Sequence, residues 1–400
     1  MPTTLKTKVI ILGGGYAGVA AGKVLSSSEK VETTLIDRHS FHLYFSSLYE
    51  LATEEVTRQT VVIPLRQIFR ERVNLIRDEI TTIDKNKKTV TLKSGTSHDY
   101  DYLVIALGSV SNDFGIKGVA QHAFTFREFR ETLLLRDNIR TVFHMAKEKG
   151  KKEVNLAICG GGFSGIELAA ELRFHLEKMR HEYRCERVNL CILEASPQIL
   201  PGMPSEIVNE TAKRLKKLKI NITLSDPVDE ILHDGVRLKS GQWIPSDLTI
   251  WTAGTKSSPV SQNMGLALDE RHRPVVNEHL EVLNYPEIFV AGDLAGYTNP
   301  ANGRPIPPQA YQAEAMGRIV GQNILRSIEK RSLKEFHPAG NNFIIPVGHN
   351  DAVALLFGHV ISGFIPSILR RFIELNYLSK IFGVFKSFPI FWSEMKVVAE

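Results

Sequence analysis

The run Lys8-Val9-Ile10-Ile11-Leu12-Gly13-Gly14-Gly15-Tyr16-Ala17-Gly18 passes from an apolar burst into three glycines, then into small residues at helical spacing as far as Leu25. That order predicts strand, tight turn and helix. A second burst, Thr33-Thr34-Leu35-Ile36, ends on Asp37 and completes a βαβ unit of ordinary length. Gly13, Gly15 and Gly18 have the G-x-G-x-x-G spacing, and Asp37 lies 37 − 18 = 19 residues beyond the last glycine. In this context the spacing is a dinucleotide fingerprint. The first glycine makes the turn, the second lets a pyrophosphate approach the backbone, and the third lets helix and strand pack closely. Free amides and the dipole at the helix N-terminus favour the anion, and Asp37 is placed for the ribose hydroxyls.

The unit occurs twice. Asn155-Leu156-Ala157-Ile158-Cys159 runs into Gly160, Gly162 and Gly165 at the same spacing, and Val188-Asn189-Leu190-Cys191-Ile192-Leu193 ends on Glu194. Here the acid is 194 − 165 = 29 residues on, which implies a long helix through about Met179. An acid at this place suits a free 2′-hydroxyl and repels a 2′-phosphate, so NADH is expected rather than NADPH. Each copy is followed by another apolar strand with a small-residue turn: Tyr102 to Ile105 with Ala106-Leu107-Gly108-Ser109, and Leu248 to Trp251 with Thr252-Ala253-Gly254. The run Ile288-Phe289-Val290-Ala291-Gly292-Asp293 most simply rejoins the first fold after the second has been inserted. The expected class is α/β, with two Rossmann-like domains, one interrupted by the other. The boundaries read as 1–150 and 262–325 for the first dinucleotide domain, 151–261 for the second, NADH-type domain, and 326–400 for a C-terminal module.

Bulk properties narrow the field. At 43% hydrophobic and 23% charged, 400 residues suffice for several cores, so a multidomain globular protein is expected. The excess of +5 is dispersed and accompanied by no nucleic-acid motif, so nucleic acid is not an expected partner. Lys213 to Lys219 reads as the solvated face of an amphipathic helix. Cys159, Cys185 and Cys191 form no closely spaced pair, which argues against a local redox disulfide or a metal site and points to a reducing compartment. Cys159 and Cys191 read as packing residues of buried strands. No signal segment is read at the N-terminus.

Two fingerprints imply two dinucleotides, and the chemistry that joins such a pair is hydride transfer from a nicotinamide to a flavin. The ordered set of motifs, with Phe289-Val290-Ala291-Gly292-Asp293-Leu294-Ala295, resembles the pyridine nucleotide–disulfide oxidoreductase superfamily. Within it, Ser40-Phe41-His42-Leu43-Tyr44, Leu48 to Thr53, Gly160 to Ala169, and Ile250 to Gly254 with Ser258-Pro259 resemble the type II NADH dehydrogenases. These are single-subunit NADH:quinone oxidoreductases of respiratory membranes that pump no protons. The resemblance implies that FAD is held by Gly13, Gly15, Gly18, Asp37, Ile80, Gly108, Gly292 and Asp293. It assigns NADH to Gly160, Gly162, Gly165, Glu194 and Gly254. It places Glu167 beside the nicotinamide–flavin contact, where a carboxylate tunes binding or relays a proton; read alone, Glu167 is equally an acid near a helix N-terminus. The family's paired glutamines near the quinone are altered here, with Tyr311 and Ala315 at those positions and Gln309 and Gln312 beside them. The lack of any cysteine after Cys191 argues against sulfide oxidation or thiol–disulfide chemistry. Two other readings stay open: a reductase of a soluble electron carrier, and a non-catalytic NADH-responsive binding protein.

The tail bears on location. Ala352 to Leu369 carries no Asp, Glu, Lys or Arg, but Gly358, Gly363 and Pro366 interrupt it, so a strand pair followed by a helix is expected, not a membrane span. After Pro366, Ile368, Leu369, Phe372, Ile373, Leu375 and Leu378 recur at helical spacing, with Arg370, Arg371 and Lys380 on or near the flanks. Phe382, Phe385, Phe388, Phe391 and Trp392 follow, among Lys386 and Lys396. Such a segment suits a membrane interface, which would place the protein peripherally on the cytoplasmic face; the alternative is packing on the flavin domain or on a second subunit in a homodimer.

Overall fold

The computed structural model describes residues 6–338, 340 and 342–383. Phe385, Lys386, Phe388, Phe391, Trp392 and Lys396 lie outside them. The chain forms two units, one of Met1–Leu43, Val62–Val110 and Thr255–Gly340, the other of Tyr44–Val61, Ser111–Gly254 and Asn341–Glu400.

The first unit is organised by a six-stranded sheet in the order Glu281–Val282, Tyr285–Val290, Tyr102–Ile105, Thr7–Leu12, Val31–Asp37 and Asn74–Arg77. All pairs are parallel except the short antiparallel edge made by Glu281–Val282. Val9, Ile10, Ile11 and Leu12 are all buried, as a central parallel strand covered on both faces requires. The strand Tyr285–Val290, nearly two hundred residues downstream of Tyr102–Ile105, pairs with it in register, Ile288 opposite Leu103. Two helices pack tightly here, Tyr16–Leu25 and Ala310–Ile328. A Cβ on Gly317 would lie 2.0 Å from the Ala17 carbonyl oxygen, so only glycine permits this approach.

The second unit repeats the plan with a five-stranded parallel sheet, Ala123–Thr125, Leu248–Trp251, Glu153–Cys159, Arg187–Leu193 and Asn221–Thr223. The fingerprint helix runs from Phe163 to Tyr183, one turn beyond the expected end, and stops at Arg184 in the left-handed conformation. Cys159 is buried and Cys191 half-buried, and burial raises both thiols, Cys191 to about 11, so neither is a reactive thiolate. The helix Ser205–Lys217 carries the basic run as far as Lys217. The C-terminal part is a three-stranded antiparallel sheet, Phe343–Pro346, Ala352–Leu356 and His359–Gly363, followed by the helix Phe364–Phe382. Among the described residues, no helix is long and apolar enough to cross a membrane.

Candidate functional site

In the first unit Gly13 has φ +103, and a Cβ there would meet the Ala106 carbonyl oxygen at 2.4 Å. A Cβ on Gly18 would lie 1.8 Å from the Gly13 carbonyl oxygen, so the helix touches the turn. A Cβ on Gly15 would meet nothing within 4 Å. That opening faces the first turn of Tyr16–Leu25, which has no side-chain cap, so its amides are left for a ligand. Asp37 braces the turn: one carboxylate oxygen accepts the Gly14 N–H at 2.6 Å, the other the His39 N–H at 2.6 Å. A carboxylate has further lone pairs, so both contacts leave room for ribose hydroxyls.

His42 is fully buried, and its Nδ1 lies 3.0 Å from the Gly14 carbonyl oxygen, with its ring edge-on to Tyr16. Burial lowers its pKa to about 4, with the Gly14 contact opposing, so the ring is neutral at neutral pH and donates that hydrogen bond. Sequence reading drew His42 only into a resemblance; the role of bracing the glycine turn depends on a contact 28 residues away.

Further along, Asp293 accepts a hydrogen bond from Ser109 Oγ at 2.6 Å. Gly292 has φ +78 and Gly108 φ +65, both in the left-handed region. Asp293, Gly292, Gln309 and Gln312 line one small crevice with Arg273 and Met316. Gln309 is the N-cap residue of Ala310–Ile328, and Tyr311 is hydrogen bonded with Gln312. The structure therefore brings both glutamines beside Asp293, and Tyr311 against Gln312. Ile80 opens the strand Ile80–Asp84 of a separate antiparallel sheet, two residues after Asp78, whose N–H donates to the Asp37 carbonyl oxygen.

The second unit reproduces the turn closely. Gly160 has φ +119, a Cβ on Gly165 would lie 2.0 Å from the Gly160 carbonyl oxygen, and a Cβ on Gly162 would meet nothing within 4 Å. Glu194 takes the part of Asp37, accepting the Gly161 N–H at 2.6 Å and the Ser196 N–H at 2.8 Å. The helix Phe163–Tyr183 is likewise uncapped by any side chain. Gly254 has φ +71, and a Cβ there would strike the ring of Phe114, which is 60% exposed.

Glu167 lies in the second turn of that helix and is half-buried. Loss of hydration raises its pKa to about 8; Arg370 pulls it down and Glu50 pushes it up. These two belong to an ion cluster that sequence reading missed. Glu50 Oε1 accepts from Arg370 at 2.7 Å and from Arg371 at 2.9 Å. Arg371 also reaches Glu374 at 3.3 Å, and Ser47 Oγ donates to Glu374 at 3.0 Å. Burial would raise Glu50, but Arg370 and Arg371 outweigh it and hold the carboxyl below its ordinary range; for Glu374 burial, helped by Glu50, prevails and raises it. Arg370 and Arg371 thus turn inward, where the sequence suggested flanks of an apolar helix, because two buried carboxylates need countercharge. Nearby His349 donates from Nδ1 to Glu171 at 3.0 Å, with Glu55 3.5 Å from Nε2. The bond to Glu171 raises its pKa despite partial burial, and the ligand-type atoms of Glu55, Glu171 and His349 all lie within 4.8 Å of one another.

Twice, then, a parallel strand ends in a glycine turn, the turn opens an uncapped helix, and an acid at the end of the next strand braces it. This pairing defines a protein with two dinucleotide-type folds. The chain belongs to the pyridine nucleotide-disulphide oxidoreductase family, whose model matches residues 7–317. It is 28% identical over 391 residues to the type II NADH:quinone oxidoreductase of Staphylococcus aureus, covering 95% of this chain and 97% of the relative. The fold matches the NDH2 of Plasmodium falciparum solved in complex with NADH, with a TM-score of 0.87 at 18% identity, covering 97% of this chain and 98% of that one. It also matches the sulfide:quinone oxidoreductase of Aquifex aeolicus, with a TM-score of 0.81 at 20% identity over 94% of this chain and 92% of that one.

Proposed function

We propose that this protein is a non-proton-pumping NADH:quinone oxidoreductase that holds FAD at the first fingerprint and NADH at the second. The observation that carries the reading is the duplicated turn. Gly15 and Gly162 each leave a protein-free space beside an uncapped helix N-terminus, and Asp37 and Glu194 each stand braced against the turn. The residues fit both groups. When bound, the nicotinamide supplies a hydride and the flavin accepts it at N5 and passes on an electron pair.

The chain's own part is position and charge. Helix N-terminal amides receive the two pyrophosphates, and the acids receive the riboses. Gly108 and Gly292 would bring backbone beside the flavin, Ser109 would hold Asp293 for its sugar chain, Ile80 would contact FAD, and Gly254 would lie on the nicotinamide side. Glu167, with a pKa of about 8, keeps its proton at neutral pH and can hold or give it during turnover. Gln309, Tyr311 and Gln312 are the quinone-side groups, with Gln312 taking the hydrogen-bonding role of the altered pair.

The helix Phe364–Phe382 supports delivery to a lipid-dissolved acceptor. Phe364, Ile365, Ile368, Leu369, Phe372 and Ile373 fall on one face and are exposed, Ile365 by 74% and Phe372 by 57%. Such a face suits the acyl boundary of a bilayer, and the protein is then peripheral.

The test is anaerobic spectroscopy of the purified protein. Bleaching of the flavin band by NADH, little by NADPH, and its rapid return on adding a soluble quinone are expected. Return only with a soluble electron-carrier protein would replace the quinone by that acceptor, a flavin that NADH does not bleach would make the protein a binding module, and absence of a flavin band would overturn the reading.

A further inference from the structure

A cleft of about 850 Å³ opens in the first unit, lined by residues that the reading above does not use. It lies at the amino ends of the parallel strands. Val31, Glu32 and Thr33 begin one strand, Asn74 and Leu75 begin its neighbour, and Lys6 precedes the first. The fingerprint turn and Asp37 sit at the carboxyl ends. Val31 and Asp37 are six residue steps apart, about 20 Å at the usual strand rise. The cleft is therefore separate from the place proposed for FAD.

Its wall is basic. Arg66 comes from the short helix Leu65–Phe69, and Arg70 and Arg72 from the chain that follows it. Lys6, Arg66, Arg70 and Arg72 have no side-chain hydrogen bond, ion pair or ring contact among the described residues. The charge that acts on Arg72's surroundings is another cation: Lys23 is held below its ordinary range, first by burial and then by Arg72. Glu32 and Glu71 also line the cleft, leaving 4 − 2 = +2. Elsewhere on this protein arginines are commonly paired, as Arg273 is with Asp269, Arg318 with Glu314 and Arg331 with Glu329. Three arginines without acid partners around one concavity are a different arrangement. Planar guanidinium forks match phosphate oxygens in pairs. Val31, Val73 and Leu75 add an apolar part to the lining, and the volume is that of a small-molecule site.

We propose that this cleft binds a phosphate-rich ligand of nucleoside-polyphosphate size, with Arg66, Arg70 and Arg72 on the phosphates and Lys6 at the rim. The same phosphate chemistry is offered by a soluble nucleotide and by a phospholipid headgroup.

The experiment uses the FAD-loaded full chain with NAD⁺ in excess, so that adenine nucleotides cannot report on the second fingerprint. Sodium tripolyphosphate and ATP are titrated calorimetrically into the wild type and into R66Q/R70Q/R72Q, and both proteins are floated with phosphatidylglycerol vesicles. Binding of ATP and tripolyphosphate that falls about tenfold or more in the triple variant and weakens with salt is expected, and assigns a soluble nucleotide. Loss of vesicle association in the variant without polyphosphate binding by the wild type assigns a headgroup. Neither response, or equal binding by both proteins, overturns the site. Flavin content and NADH-driven bleaching should be unchanged in the variant; if it loses flavin, R66Q and R72Q are titrated singly with the same criterion. These controls do not depend on quinone reduction, so the cleft can fail while the NADH chemistry stands, and the reverse.

Discussion

Glu194 Oε2 accepts the backbone N–H of Gly161 at 2.6 Å, while its other oxygen accepts that of Ser196, so this acid is locked to the turn it serves. Charge-assisted hydrogen bonds of this kind contribute about 1.5–3 kcal/mol each. Glu194→Gln keeps the shape but turns one of the two acceptors into an NH2 donor, so one bond is lost and the other weakened, and it removes the charge proposed to repel a 2′-phosphate. The expected result is a KM for NADH raised roughly tenfold and a smaller ratio of kcat/KM between NADH and NADPH. Steady-state kinetics with both nucleotides measures it; an unchanged ratio would remove Glu194 from cofactor selection.

Gly15 and Gly18 should separate ligand space from packing space. Gly18→Ala drives a methyl group to within 1.8 Å of the Gly13 carbonyl oxygen, and a loss of about 2 kcal/mol or more is expected from overpacking. Gly15→Ala meets no protein atom, so folding stability should stay within about 0.5 kcal/mol while FAD occupancy falls sharply. Apo-protein unfolding in urea, beside the flavin-to-protein absorbance ratio, distinguishes the two.

The raised pKa of Glu167 gives stability a definite pH slope. In the folded protein the carboxyl keeps its proton up to about 8, whereas unfolded it ionises near 4.5. Between these values the folded state binds more protons, so this group's contribution to stability falls as pH rises and levels off above 8. Glu167→Gln should flatten that part of the profile and be relatively more stable at pH 8.5 than at pH 5. Urea midpoints across this range test it, and parallel profiles would show that the carboxyl is ordinary.

Removing Glu50 should be costly. Glu50→Ala leaves Arg370 and Arg371 buried against Glu374 alone, and breaking a buried ion cluster from one side costs about 3–5 kcal/mol. A partly compensating second change, Arg370→Met, should recover some of that loss. Denaturation of the two variants decides it; additive losses would mean that the pair acts independently.

On the C-terminal helix, Phe372→Glu with Ile373→Glu places two charges on the exposed apolar face. Flotation with lipid vesicles should be lost while NADH still bleaches the flavin in detergent-free solution. Vesicle binding equal to that of the wild type would assign this face to a protein partner instead.

The two fingerprints, their acids and the α/β class were legible in the sequence because each is local. Strand, glycine turn and helix lie within about twenty residues, and the spacing of Gly13, Gly15 and Gly18 directly encodes a backbone conformation and a close approach. The tail's strands and helix could be read for the same reason, from glycines and apolar periodicity. What only the tertiary structure decided involves partners distant in the chain. The Asp293 carboxylate meets Ser109 across 184 residues, His42 turns its ring onto Gly14, and Glu50 draws Arg370 inward across 320. Nothing in the spacing of Arg370 and Arg371 signals an inward face, since the apolar residues around them predict the reverse; buried carboxylates supplied by another segment reverse it. Hydrophobic periodicity records burial averaged along one helix, whereas ion pairing and pKa depend on which charges the fold brings together, and that is set by topology.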